Sequence, residues 1–146
     1  MHYIDFHTHI FPDSLAASTI PALEKKGNVK AALNGTLAGL TASMDRAEIE
    51  KSVVCLIATN PSQFSSILSF SDKIRSDRIV PFPSFHPRDP ECLARIEQIR
   101  AEGYKGIKLH PFYQEFTIDE QRLLPVYGKI SELGLILVMH TGYDIG

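Results

Sequence analysis

The chain has 146 residues, 44% of them hydrophobic and 22% charged, with a formal net charge of −2. That balance excludes a disordered or collagen-like chain, and so small a net charge gives no electrostatic reason to expect nucleic acid or an anionic membrane as partner. No apolar run reaches the ~18 residues of a membrane span. The start, Met1-His2-Tyr3-Ile4-Asp5, lacks the basic-then-apolar pattern of a secretory signal. Two cysteines, Cys55 and Cys92, cannot build a disulfide framework, so a reduced, cytoplasmic protein is the expectation.

Five short apolar runs read as strands: Tyr3–His9, Ser52–Ala58, Ile79–Phe85, Gly106–His110 and Leu135–His140. They are rich in β-branched and aromatic residues, as strands buried on both faces are. An insert at about 11–34 shows no regular pattern. The segment from about Leu37 to Glu50, with Leu40, Met44 and Ala47 at helical spacing, predicts a helix. Asn60-Pro61 and Asp89-Pro90 each open another by the cap-then-proline rule, the second ending at Gly103. Pro125 starts a fourth, with Val126, Ile130 and Leu133 on one face and Gly134 as its stop. Strands and helices in alternation predict an α/β protein with parallel strands. The last three strands begin roughly 27 residues apart, a natural length for one βα unit.

Of six histidines, five fall at or near the end of a predicted strand: His7, His9, His86, His110 and His140. In a parallel α/β fold those ends share one face, and in barrels that face carries the active site. Asp5, His7 and His9 alternate onto one side of their strand, and two imidazoles at i, i+2 can grip one metal ion. Asp5 sits one step deeper, where it could orient an imidazole. His140 ends the most hydrophobic strand and would complete a three-histidine set of the kind that holds catalytic zinc. Lys108 and His110 form a second same-face pair. A buried lysine is costly unless paired, so Lys108 is a candidate for binding a substrate carboxylate or for carbamylation, and His110 a candidate proton carrier. His86 is a weaker candidate, as is Arg88 beyond it. There is no G-x-S-x-G elbow, phosphate loop or G-x-G-x-x-G.

Ile4-Asp5-Phe6-His7-Thr8-His9 resembles the opening of the amidohydrolase superfamily. Met44-Asp45-Arg46-Ala47-Glu48-Ile49, Gly106-Ile107-Lys108-Leu109-His110-Pro111 and Val138-Met139-His140-Thr141-Gly142 are similar to later parts of its amidohydrolase-related branch, which includes the aminocarboxymuconate-semialdehyde decarboxylases. The resemblance implies a distorted TIM barrel holding one divalent metal, usually zinc, with His7, His9 and His140 as its histidine ligands. The family also uses a histidine after strand six and an aspartate after strand eight. The sequence stops at Gly146, in the loop after strand five. A full barrel needs about 250 residues. The expectation is therefore a single domain over 1–146, holding about five of eight strands. It would be the N-terminal part of a longer enzyme, inactive alone unless a second chain, as in a homo-oligomer, supplies the missing strands.

The first function expected is a metal-dependent hydrolase, in which a zinc-bound hydroxide attacks a carbonyl, amide or lactone carbon of a small molecule. The second is non-oxidative decarboxylation of a small unsaturated or aromatic acid at the same site. A phosphoesterase with an H-x-H start and a non-catalytic barrel fragment are the remaining readings.

Overall fold

The computed structural model describes residues 3–142. In chain order its elements are β1 (Tyr3–Thr8), α1 (Asp13–Gly27), α2 (Leu37–Arg46), β2 (Ile49–Cys55), α3 (Phe64–Ile74), β3 (Ile79–Phe82), α4 (Cys92–Ala101), β4 (Gly106–Leu109), α5 (Pro111–Gln114), α6 (Leu124–Glu132) and β5 (Ile136–Met139). β1, β2 and β3 are hydrogen-bonded in that order, and β4 pairs with β5. The β1–β2 and β4–β5 ladders are parallel, as the alternation of strands and helices predicts. No helix among the described residues is long and apolar enough to cross a membrane. The chain packs as two compact units: residues up to Val54 with Ile74–Val80, and Cys55–Lys73 with Pro81–Gly142.

In the first unit, Thr36 caps α2, its Oγ1 accepting the Gly39 N–H at 3.0 Å, and Leu40 and Met44 face inward. The expected helix to Glu50 ends instead at Arg46. Glu48 adopts a left-handed conformation (φ 54°) that turns the chain, and β2 begins at Ile49. Arg78 locks this turn by pairing with Asp45 at 2.6 Å and donating to the Ile49 carbonyl at 3.1 Å. The irregular insert expected at 11–34 is corrected: Asp13–Gly27 is a helix, closed by left-handed Asn28. Its signal was weak because only Ala16 is buried on it and because Pro21 inside it reads against a helix. The Phe11 N–H to Gly35 carbonyl bond of 2.8 Å ties the ends of the insert together. Burial on both faces fails for β1, where Ile4 is 59% and Phe6 47% exposed.

In the second unit, Asn60 and Gln63 form a reciprocal capping box at the entrance to α3. Asp89 does not cap α4 directly. Its carboxylate accepts the Glu91 N–H at 2.9 Å and pairs with Arg95 at 3.2 Å, and the helix begins at Cys92. Gly103 and Gly134 end their helices with φ of 83° and 63°. The core gathers Phe64, Phe85, Ile96, Ile99, Ile107, Leu109, Leu123 and Ile130. Each such buried side chain contributes about 1.5–3 kcal/mol. Hydrogen bonds set the neighbours: Leu56 N–H to Phe82 O (3.1 Å), Lys108 N–H to Pro83 O (3.0 Å), and His140 N–H to Leu109 O (3.2 Å). The segments that follow β2, β3, β4 and β5 therefore emerge side by side.

Candidate functional site

The sequence-predicted residues divide between the units. In the first, β1 ends at Thr8, whose hydroxyl donates to the Val53 carbonyl at 2.9 Å. The pairing of β1 with β2 shifts register between Asp5 and Thr8, so strict alternation of side chains does not hold across the motif. His7 and His9 are both exposed, with ring centroids 5.0 Å apart and planes at 61°. Asp5 Oδ1 accepts the backbone N–H of His7 at 3.2 Å, which fixes the backbone that presents the ring. A cavity of about 230 Å3 opens beside this motif, lined by Asp5, Thr8, His9, Ile10, Thr36 and Met44 among others.

In the second unit, β4 and β5 carry the remaining candidates. His140 follows β5 directly, and its Nε2 is buried without a hydrogen-bond partner among the described residues. A bare imidazole nitrogen in such a place is costly unless a ligand completes it. His110 follows β4 and caps α5, its Nδ1 accepting the Tyr113 N–H at 3.4 Å. The His110 and His140 rings stack at 4.1 Å, and Tyr113 lies 4.3 Å from His110.

Lys108 is 0% exposed, which removes the simple picture of a lysine reaching out to solvent. Burial pushes its ammonium pKa down from the usual 10.5, and Cys55 nearby partly offsets that. His86 lies four residues beyond the end of β3 rather than at it. It is buried, and its Nδ1 accepts the Arg88 N–H at 3.1 Å. Burial first, and then the Arg88 guanidinium, hold its pKa below the usual 6.5. Arg88 is engaged by Glu115 at 2.8 Å. His2 lies outside the described residues. Among the described residues neither cysteine forms a disulfide; Cys55 is buried and Cys92 half-buried.

Sequence reasoning missed Gln114. This fully buried side chain hydrogen-bonds to the segments following β2, β3 and β4. Its only signal was its place one helical turn after His110-Pro111. Among the described residues, neither unit by itself gathers three His, Cys, Asp or Glu side chains able to hold a metal. Of the residues expected as metal ligands, the first unit carries His7 and His9 and the second His140.

Comparison with known proteins places these elements. No curated protein matches the sequence. The chain superposes on the Metarhizium anisopliae IDCase in its apo form with a TM-score of 0.74 at 17% identity, covering 97% of this chain and 51% of that one. It superposes on an amidohydrolase II with a TM-score of 0.66 at 18% identity, covering 98% and 51%. The chain thus spans about half the length of these structures, whose fold it shares. The sequence model of the amidohydrolase family matches residues 4–146. The chain belongs to the amidohydrolase family.

Proposed function

We propose that this chain contributes the first five strands of an eight-stranded barrel, one domain, to a metal-dependent hydrolase acting on a small molecule in the cytoplasm. Members of the family generally use a divalent metal. His7, His9 and His140 would hold it, and zinc suits three neutral imidazoles. The observation that carries this reading is the buried Nε2 of His140 after β5, which has no hydrogen-bond partner among the described residues. A nitrogen stripped of water and of protein partners fits a ligand position. The exposed His7 and His9 rings supply two more soft-to-borderline donors of the same type. When bound, such a metal supplies Lewis acidity and an acidified water at neutral pH.

The chain's own residues have separate tasks. Asp5 fixes the His7 backbone. His110, whose Nδ1 serves as a helix cap, would move a proton to or from substrate. Lys108, its charge disfavoured by burial, would hold an anionic group of the substrate once one enters. The cavity beside β1 would take the apolar body of the substrate.

Decarboxylation of a small acid is the second reading. It is favoured by the buried cation at Lys108, which would pair with a substrate carboxylate, and by the likeness in fold to the IDCase.

The test is metal content, by plasma mass spectrometry, of the whole enzyme to which this chain contributes, together with its turnover. About one zinc per chain, lost in His140→Ala and in His7→Ala, is expected. Opening of lactones or amides would favour the hydrolase. Release of carbon dioxide from carboxylated aromatics would favour the lyase. Wild-type protein that takes up no divalent metal would sink the proposal.

A further inference from the structure

The Gln114 side chain is 0% exposed and sits at the end of α5. Its Nε2 donates its two hydrogens to the Ala58 carbonyl at 2.8 Å and the Phe85 carbonyl at 2.9 Å, with the Ser84 hydroxyl 3.3 Å away. Its Oε1 accepts the His110 backbone N–H at 2.8 Å. Ala58 follows β2, Ser84 and Phe85 follow β3, and His110 follows β4. One amide therefore joins the outgoing segments of three adjacent strands. The orientation of the amide follows from its partners, because carbonyls only accept and the His110 N–H only donates.

We infer that Gln114 is a positioning residue, clamping these three segments so that His110 carries its ring against His140. The inference deepens the function proposed above and rests on it for the meaning of His140 as a ligand. Only glutamine satisfies the geometry. Glutamate keeps the acceptor for His110 but turns an anion toward two carbonyls. Asparagine is one methylene short. Methionine fills the volume and leaves two buried carbonyls and one buried N–H without partners. The stack is the lever. His110 is held at its backbone N–H by Gln114 and at its Nδ1 by Tyr113, so its ring plane is fixed, and the His140 ring lies 9° from that plane. Groups behind a metal ligand that set its orientation typically change metal affinity by 10–100-fold when removed.

The test uses the purified chain with 13C-labelled histidine at a fixed pH of about 8, where an unperturbed imidazole is neutral. Stacked imidazoles shift each other's ring protons upfield, so the His110 and His140 signals report the stack with no metal present. In Gln114→Met both signals should move toward unstacked values, and zinc affinity, read by competition with a chromophoric chelator, should fall at least tenfold. Ile99→Val, a trimmed core residue in the same unit, serves as the control. It should lower thermal stability without moving either readout. Gln114→Glu, which keeps volume and the acceptor for His110, gives the same readouts if the methionine variant does not fold, and should shift the ring signals in the same direction. Ring signals at wild-type positions in a folded Gln114 variant would overturn the inference. Wild-type protein with stacked signals but no zinc uptake would overturn the proposed metal site and leave the role of Gln114 standing on the ring signals alone.

Discussion

His110 and His140 lie ring over ring, centroids 4.1 Å apart and planes within 9° of parallel. They come from the ends of adjacent parallel strands, and the His140 N–H bonds to the Leu109 carbonyl, so backbone pairing sets their spacing. Such contacts between planar rings contribute about 0.5–1.5 kcal/mol beyond area burial. The pair separates two roles for His110. His110→Phe keeps a ring against His140 and removes the titrating nitrogen. His110→Ala removes both. On the proposed function, the phenylalanine variant should hold zinc nearly as well as wild type and lose turnover by about 10²–10⁴-fold. The alanine variant should lose about tenfold in zinc affinity as well. Chelator competition and turnover on the same preparations check this. Full turnover in the phenylalanine variant would remove His110 from proton transfer.

Gly106 begins β4 where a side chain cannot fit. A Cβ there would stand 2.2 Å from Cε2 of Phe82, a core ring that is 1% exposed. The need is steric, and Phe82, buried at the end of β3, cannot swing aside cheaply. Gly106→Ala should cost about 1–3 kcal/mol or more. The double variant with Phe82→Leu should recover part of that, because the offending ring atoms are gone. Urea unfolding of the two variants measures the recovery. A single alanine variant as stable as wild type would mean that the Phe82 ring has room to move.

Periodicity reports what is buried, and this decided which elements were legible. β4 is buried along its whole length and its boundaries come within one residue of the run read from sequence. The Asn60-Pro61 start was legible because capping chemistry is local, and the reciprocal bonds with Gln63 are there. α1 was not, since only Ala16 on it is buried and a proline inside it reads against a helix. Of the candidate site, the strand-end places of His9, His110 and His140 follow from counting along apolar runs. The bulge in β1, the depth of Lys108 and the three-way clamp of Gln114 do not. Each depends on what a neighbouring strand presents, and no spacing within one segment encodes that.

Lys108 contrasts stability with function. A fully buried ammonium is destabilising unless well paired, and its pKa is lowered by burial. The unfolded chain therefore binds more protons than the folded one in the range just below 10.5, and stability should rise with pH through that range. Lys108→Met, similar in volume and uncharged, should flatten that rise, which urea unfolding at pH 7 and pH 10 measures. If the lysine holds an anionic substrate group, the same variant should lose turnover chiefly through a higher KM. A methionine variant with the same pH slope as wild type would show that Lys108 does not carry this dependence.

His86 gives a pH dependence of the same sign in a different window. Burial, and next the Arg88 guanidinium, depress its pKa below 6.5, with Arg122 adding to the effect and Glu115 and Asp89 opposing it. As pH falls through 6.5, the unfolded imidazole takes up a proton before the folded one does. Protonation then favours the unfolded chain, so stability is fully retained above that range and declines below it. One such group gives a slope of at most about 1.4 kcal/mol per pH unit. His86→Asn can place its Oδ1 near the present Nδ1 and keep the acceptor for the Arg88 N–H at 3.1 Å. It does so without a titrating group. Thermal melts between pH 5 and 8 should show a smaller loss of stability on acidification for His86→Asn than for wild type. Parallel curves would mean that His86 protonates as readily in the folded chain as in the unfolded one.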